Sequence, residues 1–331
     1  MTPDDATAEA RFGSSVAISG DTIVVGAPLD DHSGKEDPGS AYVFVESGVS
    51  WNQQAKLQAQ GAGAGDAFGA SVAIDGDTIL VGATHANESG VSEAGAAYAF
   101  FPTGTSWALQ GKFSPAGLAS GDMFGVSVAI SGDTMLAGAA ENEHDGELSG
   151  AAYAFQRNAG TWLFDAKLTA ADGAGERFGR AVTVPGTTAV VGADWDRGSG
   201  FFSGAAYVFT RVGFQTWQED AVLAATDCKS MGYFGVSVSL NEDASALAVG
   251  ATPNWDSSCC SSVAGSVYVF AKEGTSWTEL DKLEASDAAS SDQLGVSVSW
   301  SGNWIVAGAD GDDESAGAAY VSNKAPRLPR N

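Results

Sequence analysis

The sequence predicts an all-β fold, a β-propeller of six four-stranded blades, on two observations. A short phrase recurs six times along the 331 residues, and each recurrence contains four brief apolar or alternating runs bounded by turn residues. The phrase opens at Phe12-Gly13, Phe68-Gly69, Phe124-Gly125, Phe178-Gly179, Phe234-Gly235 and Leu294-Gly295, so that blades start near 12, 68, 124, 178, 234 and 294. Each copy then reaches a Gly-Ala pair, first at Gly26-Ala27 and last at Gly308-Ala309. A tyrosine follows at Tyr42, Tyr98, Tyr153, Tyr207, Tyr268 and Tyr320. Five copies continue to a tryptophan, Trp51, Trp107, Trp162, Trp217 and Trp277.

In the first copy the runs are SVAI, TIVVGA, SAYVFV and WNQQAKLQA. The second run is apolar on both faces, which requires cover on both sides of its sheet. The fourth alternates, with Trp51, Gln53, Ala55 and Leu57 on one face, as an outer edge strand near solvent would. Stacked four-stranded sheets of this kind are propeller blades rather than solenoid coils. Gly20-Asp21 and its equivalents lie where a tight hairpin needs a positive-φ residue. The Gly-Ala pair has the small volume that lets neighbouring sheets approach. Phe or Leu at each blade start reads as a plug between blades, worth about 1.5–3 kcal/mol when buried. Asp66, Asp122, Glu176 and Asp292, each two residues before a blade start, read as caps on backbone amides.

Blade one spells Phe12-Gly13 followed by Gly26-Ala27-Pro28, and the other copies vary it. The chain resembles the FG-GAP repeat family over nearly its whole length, roughly residues 2 to 323. The resemblance implies a propeller related to the amino-terminal head of integrin α subunits, and with it extracellular ligand binding and adhesion. Calcium loops of integrin-like copies are not carried over. The nearest match, Asp75-Gly76-Asp77, offers too few oxygens for the six to eight a calcium ion takes, so the chain is similar to the calcium-free variant of the family. Residues 1–323 are read as a single propeller domain, and 324–331 as a basic, proline-containing, disordered tail. A sixth tryptophan strand is absent. Two readings therefore stand open: a six-bladed ring with an incomplete last blade, or a fragment of a seven-bladed propeller.

Composition narrows function further. Forty-one acidic against sixteen basic residues give a net charge of −25, which argues against nucleic acid as a partner, and no apolar run is long enough to insert in a membrane. The start, MTPDDATAEA, lacks the basic flank and apolar core of a signal peptide. An extracellular or cell-surface setting is nevertheless expected from the family resemblance, from the Asn87-Glu88-Ser89 glycosylation sequon and from Cys259-Cys260, with Cys228 joined to Cys259 or Cys260 as the candidate disulfide.

Function is expected on the loops between second and third strands, which differ in every copy and share a face with the loops entering the next blade. Trp195, Phe201, Phe202 and Trp255 are the candidate ligand-binding residues, because large aromatics in polar loops serve as contact anchors or stack on sugars. Asp30, Asp31, His32, Asp312 and Asp313 are the candidate metal ligands, with His85 and His144 in equivalent loops, although a solvated acidic face is the plainer reading. No cofactor is expected. The first strands read SVAI, AVTV, SVSL or SVSW and carry no histidine, so no nucleophile–base pair can be assembled there. The expected function is therefore a non-enzymatic binding or adhesion module for a protein or glycan. A spacer within a larger surface protein, or a hydrolase or other enzyme, are the alternatives.

Overall fold

The computed structural model describes residues 1–5, 9–141, 149–173, 176–227, 230–252, 264–312 and 316–323. They form two compact units, Met1–Leu148 with Tyr153–Asp165, and Ser149–Ala152 with Ala166–Asn331. The first carries blades one to three and the second blades four to six, with the boundary falling inside blade three. Blade one is β1 (Ser15–Ser19), β2 (Thr22–Ala27), β3 (Ser40–Ser47) and β4 (Ser50–Leu57). Blade two is β5 (Phe68–Asp75), β6 (Thr78–Ala83), β7 (Ala96–Thr103) and β8 (Ser106–Phe113), and blade three is β9 (Val128–Ser131), β10 (Thr134–Ala139), β11 (Ala151–Asn158) and β12 (Thr161–Leu168). Blade four is β13 (Ala181–Thr183), β14 (Thr188–Ala193), β15 (Ala205–Gly213) and β16 (Thr216–Leu223). Blade five is β17 (Ser237–Leu240), β18 (Ala246–Ala251), β19 (Ser266–Glu273) and β20 (Ser276–Leu283). Blade six has three strands, β21 (Ser297–Ser301), β22 (Trp304–Ala309) and β23 (Ala318–Ser322). The fold is thus the all-β, six-bladed propeller that the repeat predicts, meandering and antiparallel within every blade.

Each landmark has its place. Ser19 pairs with Thr22 across a two-residue turn in which Gly20 takes φ +56°, a conformation that a Cβ disfavours. The second strands, such as β6 and β14, are buried along their whole length, in keeping with their lack of a polar face. Phe68, Phe124, Phe178 and Phe234 are fully buried, each edge-on or tilted against the tyrosine of its own blade at 5.2–5.5 Å. Phe12 makes the same contact with Tyr42 but is only half-buried.

The Gly-Ala glycine is fixed by the next blade. A Cβ on Gly26 would overlap the carbonyl oxygen of Gly69, and one on Gly192 that of Gly235. The glycine of one phrase therefore receives the backbone of the following phrase. In the fourth strands the alternation of β4 is present, with Trp51, Gln53 and Ala55 half-buried and Leu57 buried. A register shift that the sequence does not signal leaves one residue unpaired in each of β4, β8, β16 and β20, at Gln54, Gln110, Asp220 and Leu280. The shift has a use in the first unit: Trp107 Nε1 donates to Gln54 Oε1 at 2.8 Å, and Trp162 Nε1 to Gln110 Oε1 at 3.0 Å. Each tryptophan thereby fastens its strand to the preceding blade.

Candidate functional site

The second-to-third-strand loops end against the start of the next blade. Isolated parallel bridges join Gly39 to Phe68, Gly95 to Phe124, Gly150 to Phe178, Gly204 to Phe234 and Gly265 to Leu294. Variable loop and inter-blade loop therefore lie side by side, as the topology requires. The inter-blade loops are rigidified by three of the expected caps: Asp66 Oδ2 accepts from Gly63 N, Asp122 Oδ2 from Ala119 N and Asp292 Oδ2 from Ala289 N, at 2.6–2.8 Å. Glu176 departs from the pattern. Its longer side chain reaches into the neighbouring variable loop and pairs with Arg197 at 3.4 Å.

Beneath this face lies a polar device that recurs with the blades. In blade one the Tyr42 hydroxyl lies 3.0 Å from Asp5 Oδ1 and 3.2 Å from Asp30 Oδ1, while Lys56 Nζ lies 2.5 Å from Asp5 and 2.9 Å from Asp30. Ser40 Oγ adds a donor to Asp30 at 2.7 Å. One aspartate comes from the variable loop and the other from the segment preceding the blade, so the tyrosine ties the two together. Burial opposes charge on Lys56, but the carboxylates of Asp30 and Asp5 outweigh it and hold the ammonium above the ordinary lysine range. Tyr207 bridges Asp196 at 2.5 Å and Asp172 at 3.5 Å, and Tyr320 bridges Asp312 at 2.6 Å and Asp287 at 2.7 Å. Tyr268 and Lys282 meet on Asp227 at 2.5 and 2.7 Å. Lys56, Lys112 and Lys282 stand across from Tyr42, Tyr98 and Tyr268, but Val222 stands across from Tyr207. Burial raises the Asp196 carboxyl above its ordinary range, partly offset by its hydrogen bonds from Tyr207 and Gly198. Sequence reasoning used these tyrosines only as landmarks. The signal for their role is an Asp three residues after the Gly-Ala pair, at Asp30, Asp196 and Asp312, and another four after the leucine closing a fourth strand, at Asp172, Asp227 and Asp287.

The candidate metal ligands are thus distributed among structural tasks. Asp30 and Asp312 belong to tyrosine networks, and Asp31 Oδ1 accepts from Asp37 N at 2.8 Å. His32 Nε2 lies 3.0 Å from Gly39 O, and His85 Nδ1 lies 3.0 Å from Thr84 Oγ1, each within its own loop. Among the described residues no group of three or more His, Cys, Asp or Glu side chains is arranged to hold a metal ion. Asn87 is exposed, its Oδ1 accepting from Glu93 N at 3.0 Å. Trp255, Cys228, Cys259, Cys260, Asp313, His144 and the 324–331 tail lie outside the described residues.

Three of the four aromatic candidates come together on the variable loop of blade four. Trp195 and Phe202 are 5.2 Å apart between ring centroids, Phe201 and Phe202 4.1 Å, and Phe202 stacks on Tyr233 of the adjoining loop at 6.2 Å. Arg177 lies over Trp195 at 4.3 Å, and Arg197 over Phe202 and Phe201 at 5.1 and 5.5 Å. The loop is pinned from below: Met231 N donates to Phe201 O, Tyr233 N to Phe202 O and Phe234 N to Ser203 O, at 2.7–3.2 Å. Trp195 and Phe202 are half-buried in the cluster, whereas Phe201 is 51% exposed at its edge. The two arginines and Tyr233 were not singled out from the sequence, because only folding brings them under the rings.

Repeated antiparallel blades, a backbone-to-glycine seam and a face of dissimilar loops define a repeat β-propeller of the blade-packed type. Six segments, residues 1–44, 51–100, 107–155, 162–209, 217–270 and 277–322, match the FG-GAP repeat, and the chain belongs to that family. From the second segment on, each match begins at the tryptophan of a fourth strand and ends within the third strand of the following blade, in blade six on its last residue. The family's repeating unit is therefore one strand out of phase with the blade. No curated protein matches the chain.

Proposed function

We propose that this propeller is a non-enzymatic binding module of extracellular or cell-surface setting, and that it engages a protein or glycan through the blade-four loop, Asp194–Gly204. The observation that carries this reading is the layered cluster of Trp195, Phe202, Phe201 and Tyr233 with two arginines over its rings. Such a surface offers flat apolar area for a sugar ring or an apolar side chain, ringed by guanidinium donors for hydroxyl and carboxylate oxygens. Its backbone is already fixed by the inter-blade loop, so little ordering free energy opposes binding. Histidine is absent from the strands of the described residues, which supports a role without histidine-based acid–base catalysis. The no-nucleic-acid reading rests on the net charge of −25.

The test is a screen of the chain against glycan and ectodomain arrays, repeated with Phe201→Ala and with Arg197→Ala. Loss of the captured ligand by at least about tenfold in both variants, with unchanged melting, is the expected result. Ligands retained at full affinity by both would refute the assignment of this loop.

A further inference from the structure

Blade four breaks the repeated phrase with positive charge. Directly after the pair that opens each copy stand Ser14, Ala70, Val126, Val236 and Val296, but Arg180 in blade four. Arg177 immediately precedes the same pair, and Arg197 follows in the variable loop. Three arginines thus gather on one blade, although the chain has only 16 basic against 41 acidic residues.

Their carboxylate partners lie deeper than they do. Asp194 Oδ2 is 3.4 Å from Arg177 Nη1 and 3.9 Å from Arg180 Nε, and the Asp194 side chain is 5% exposed against 24% and 36% for the two arginines. Glu176 Oε1 is 3.4 Å from Arg197 Nε, with side chains 18% and 46% exposed. Solvent therefore meets guanidinium rather than carboxylate. Arg180 Nε, itself shielded from solvent, has no hydrogen-bond partner among the described residues. Arg177 is held over Trp195, and Arg197 over Phe201 and Phe202, so these two cations are in place before a ligand arrives.

The rings are arranged differently from the plugs between blades. Phe202 lies at 39° to Trp195, 38° to Phe201 and 24° to Tyr233, whereas Phe68, Phe124, Phe178 and Phe234 stand at 59–82° to their tyrosines. Such rings form a platform, which suits the flat C–H face of a pyranose. A guanidinium fork suits the oxygens of a carboxylate or sulfate. A neutral sugar would leave the cations unused, and an acidic peptide side chain would leave the platform unused.

Resting on the assignment of this loop as the binding site, we infer that its ligand is an acidic sugar, a pyranose bearing a carboxylate or sulfate. The ring rests against Phe201, Arg197 meets the anion, and Arg177 and Arg180 supply the positive field around it. The strongly acidic remainder of the chain repels a polyanion that runs beyond the patch, so a short unit with few charges is favoured.

An array of carboxylated and sulfated oligosaccharides tests this, each beside its methyl-esterified or desulfated counterpart and with acidic peptides alongside. At least one acidic sugar should bind about tenfold or more tightly than its neutral counterpart, and the two kinds of pair tell carboxylate from sulfate. Arg197→Ala and Arg180→Val should each weaken that binding about fivefold or more and change the neutral counterpart less than about twofold, whereas Phe201→Ala should weaken both. Valine is the residue of three other copies at this position, so Arg180→Val should keep its cooperative unfolding; Arg180→Gln takes its place should it unfold. Neutral sugars or peptides captured through Phe201 with no gain from charge overturn the acidic-sugar inference and leave the loop as the site. An acidic sugar bound undiminished by all three variants refutes the loop itself, and the inference with it. Capture of no acidic sugar at about millimolar concentration also overturns the inference.

Discussion

A glycine and an aspartate show how much single positions determine. Gly192 lies where a side chain would collide with the Gly235 carbonyl, which belongs to rigid backbone and cannot swing away. Gly192→Ala should therefore cost about 3 kcal/mol or more, measured by urea unfolding. Asp30 and Asp196 occupy the same position after the Gly-Ala pair but face different partners. Asp30 accepts from Ser40 and Tyr42 and pairs with Lys56, so Asp30→Asn should cost about 1–3 kcal/mol, or about 2–4 °C of melting temperature per kcal/mol. At Asp196, desolvation lifts the folded-state pKa above the unfolded one, so its favourable contribution is complete below the unfolded value and is lost as pH rises through the folded value. Asp196→Asn should therefore gain on the unaltered chain as pH rises from about 4 to 7. Parallel denaturation series at several pH values check this. A relative loss for the variant over that range would contradict the linkage.

At the scale of elements, the strands were legible because each property they need is carried by residue type and spacing. β2 and its equivalents read as doubly buried from TIVVGA and TAVVGA, and the turn at Gly20-Asp21 from its two residues. The unpaired residue in the fourth strands was not legible. Gln54, Gln110, Asp220 and Leu280 share no side-chain property, and only the ladder geometry reveals their equivalence. The tyrosine networks were half legible: the tyrosines recur visibly, but their aspartates lie in loops of varying length, with Asp5 and Asp30 drawn from opposite sides of the blade start. Blade four also shows what the network lacks when one element departs from the rule. Val222 stands opposite Tyr207 where other blades have lysine, and Val222→Lys should bring an ammonium to Asp196 and Asp172 and add about 0.5–1 kcal/mol, read as a rise in melting temperature.

Across the whole molecule, the division of labour follows the division of sequence. Lines that repeat build blades and seams, since every blade must solve the same packing problem against the same kind of neighbour. Lines that differ form the face on which we propose the binding site. The sequence pointed to Trp195, Phe201 and Phe202 because they interrupt polar loops, yet it could not show that Arg177, Arg197 and Tyr233 complete their cluster. Arg197 lies in the same loop as the rings, whereas Arg177 and Tyr233 come from the loops entering blades four and five and reach the cluster only once the chain is folded. A loop exchange separates scaffold from site most directly. Residues 194–203 are replaced by 84–94 of blade two, which spans the same two strands, and both melting temperature and affinity for the ligand captured in the screen are measured. A single cooperative unfolding transition retained together with loss of binding is the expected result. Binding that survives the exchange, or a blade that no longer folds with its neighbour's loop, would contradict the separation of repeated scaffold from variable site.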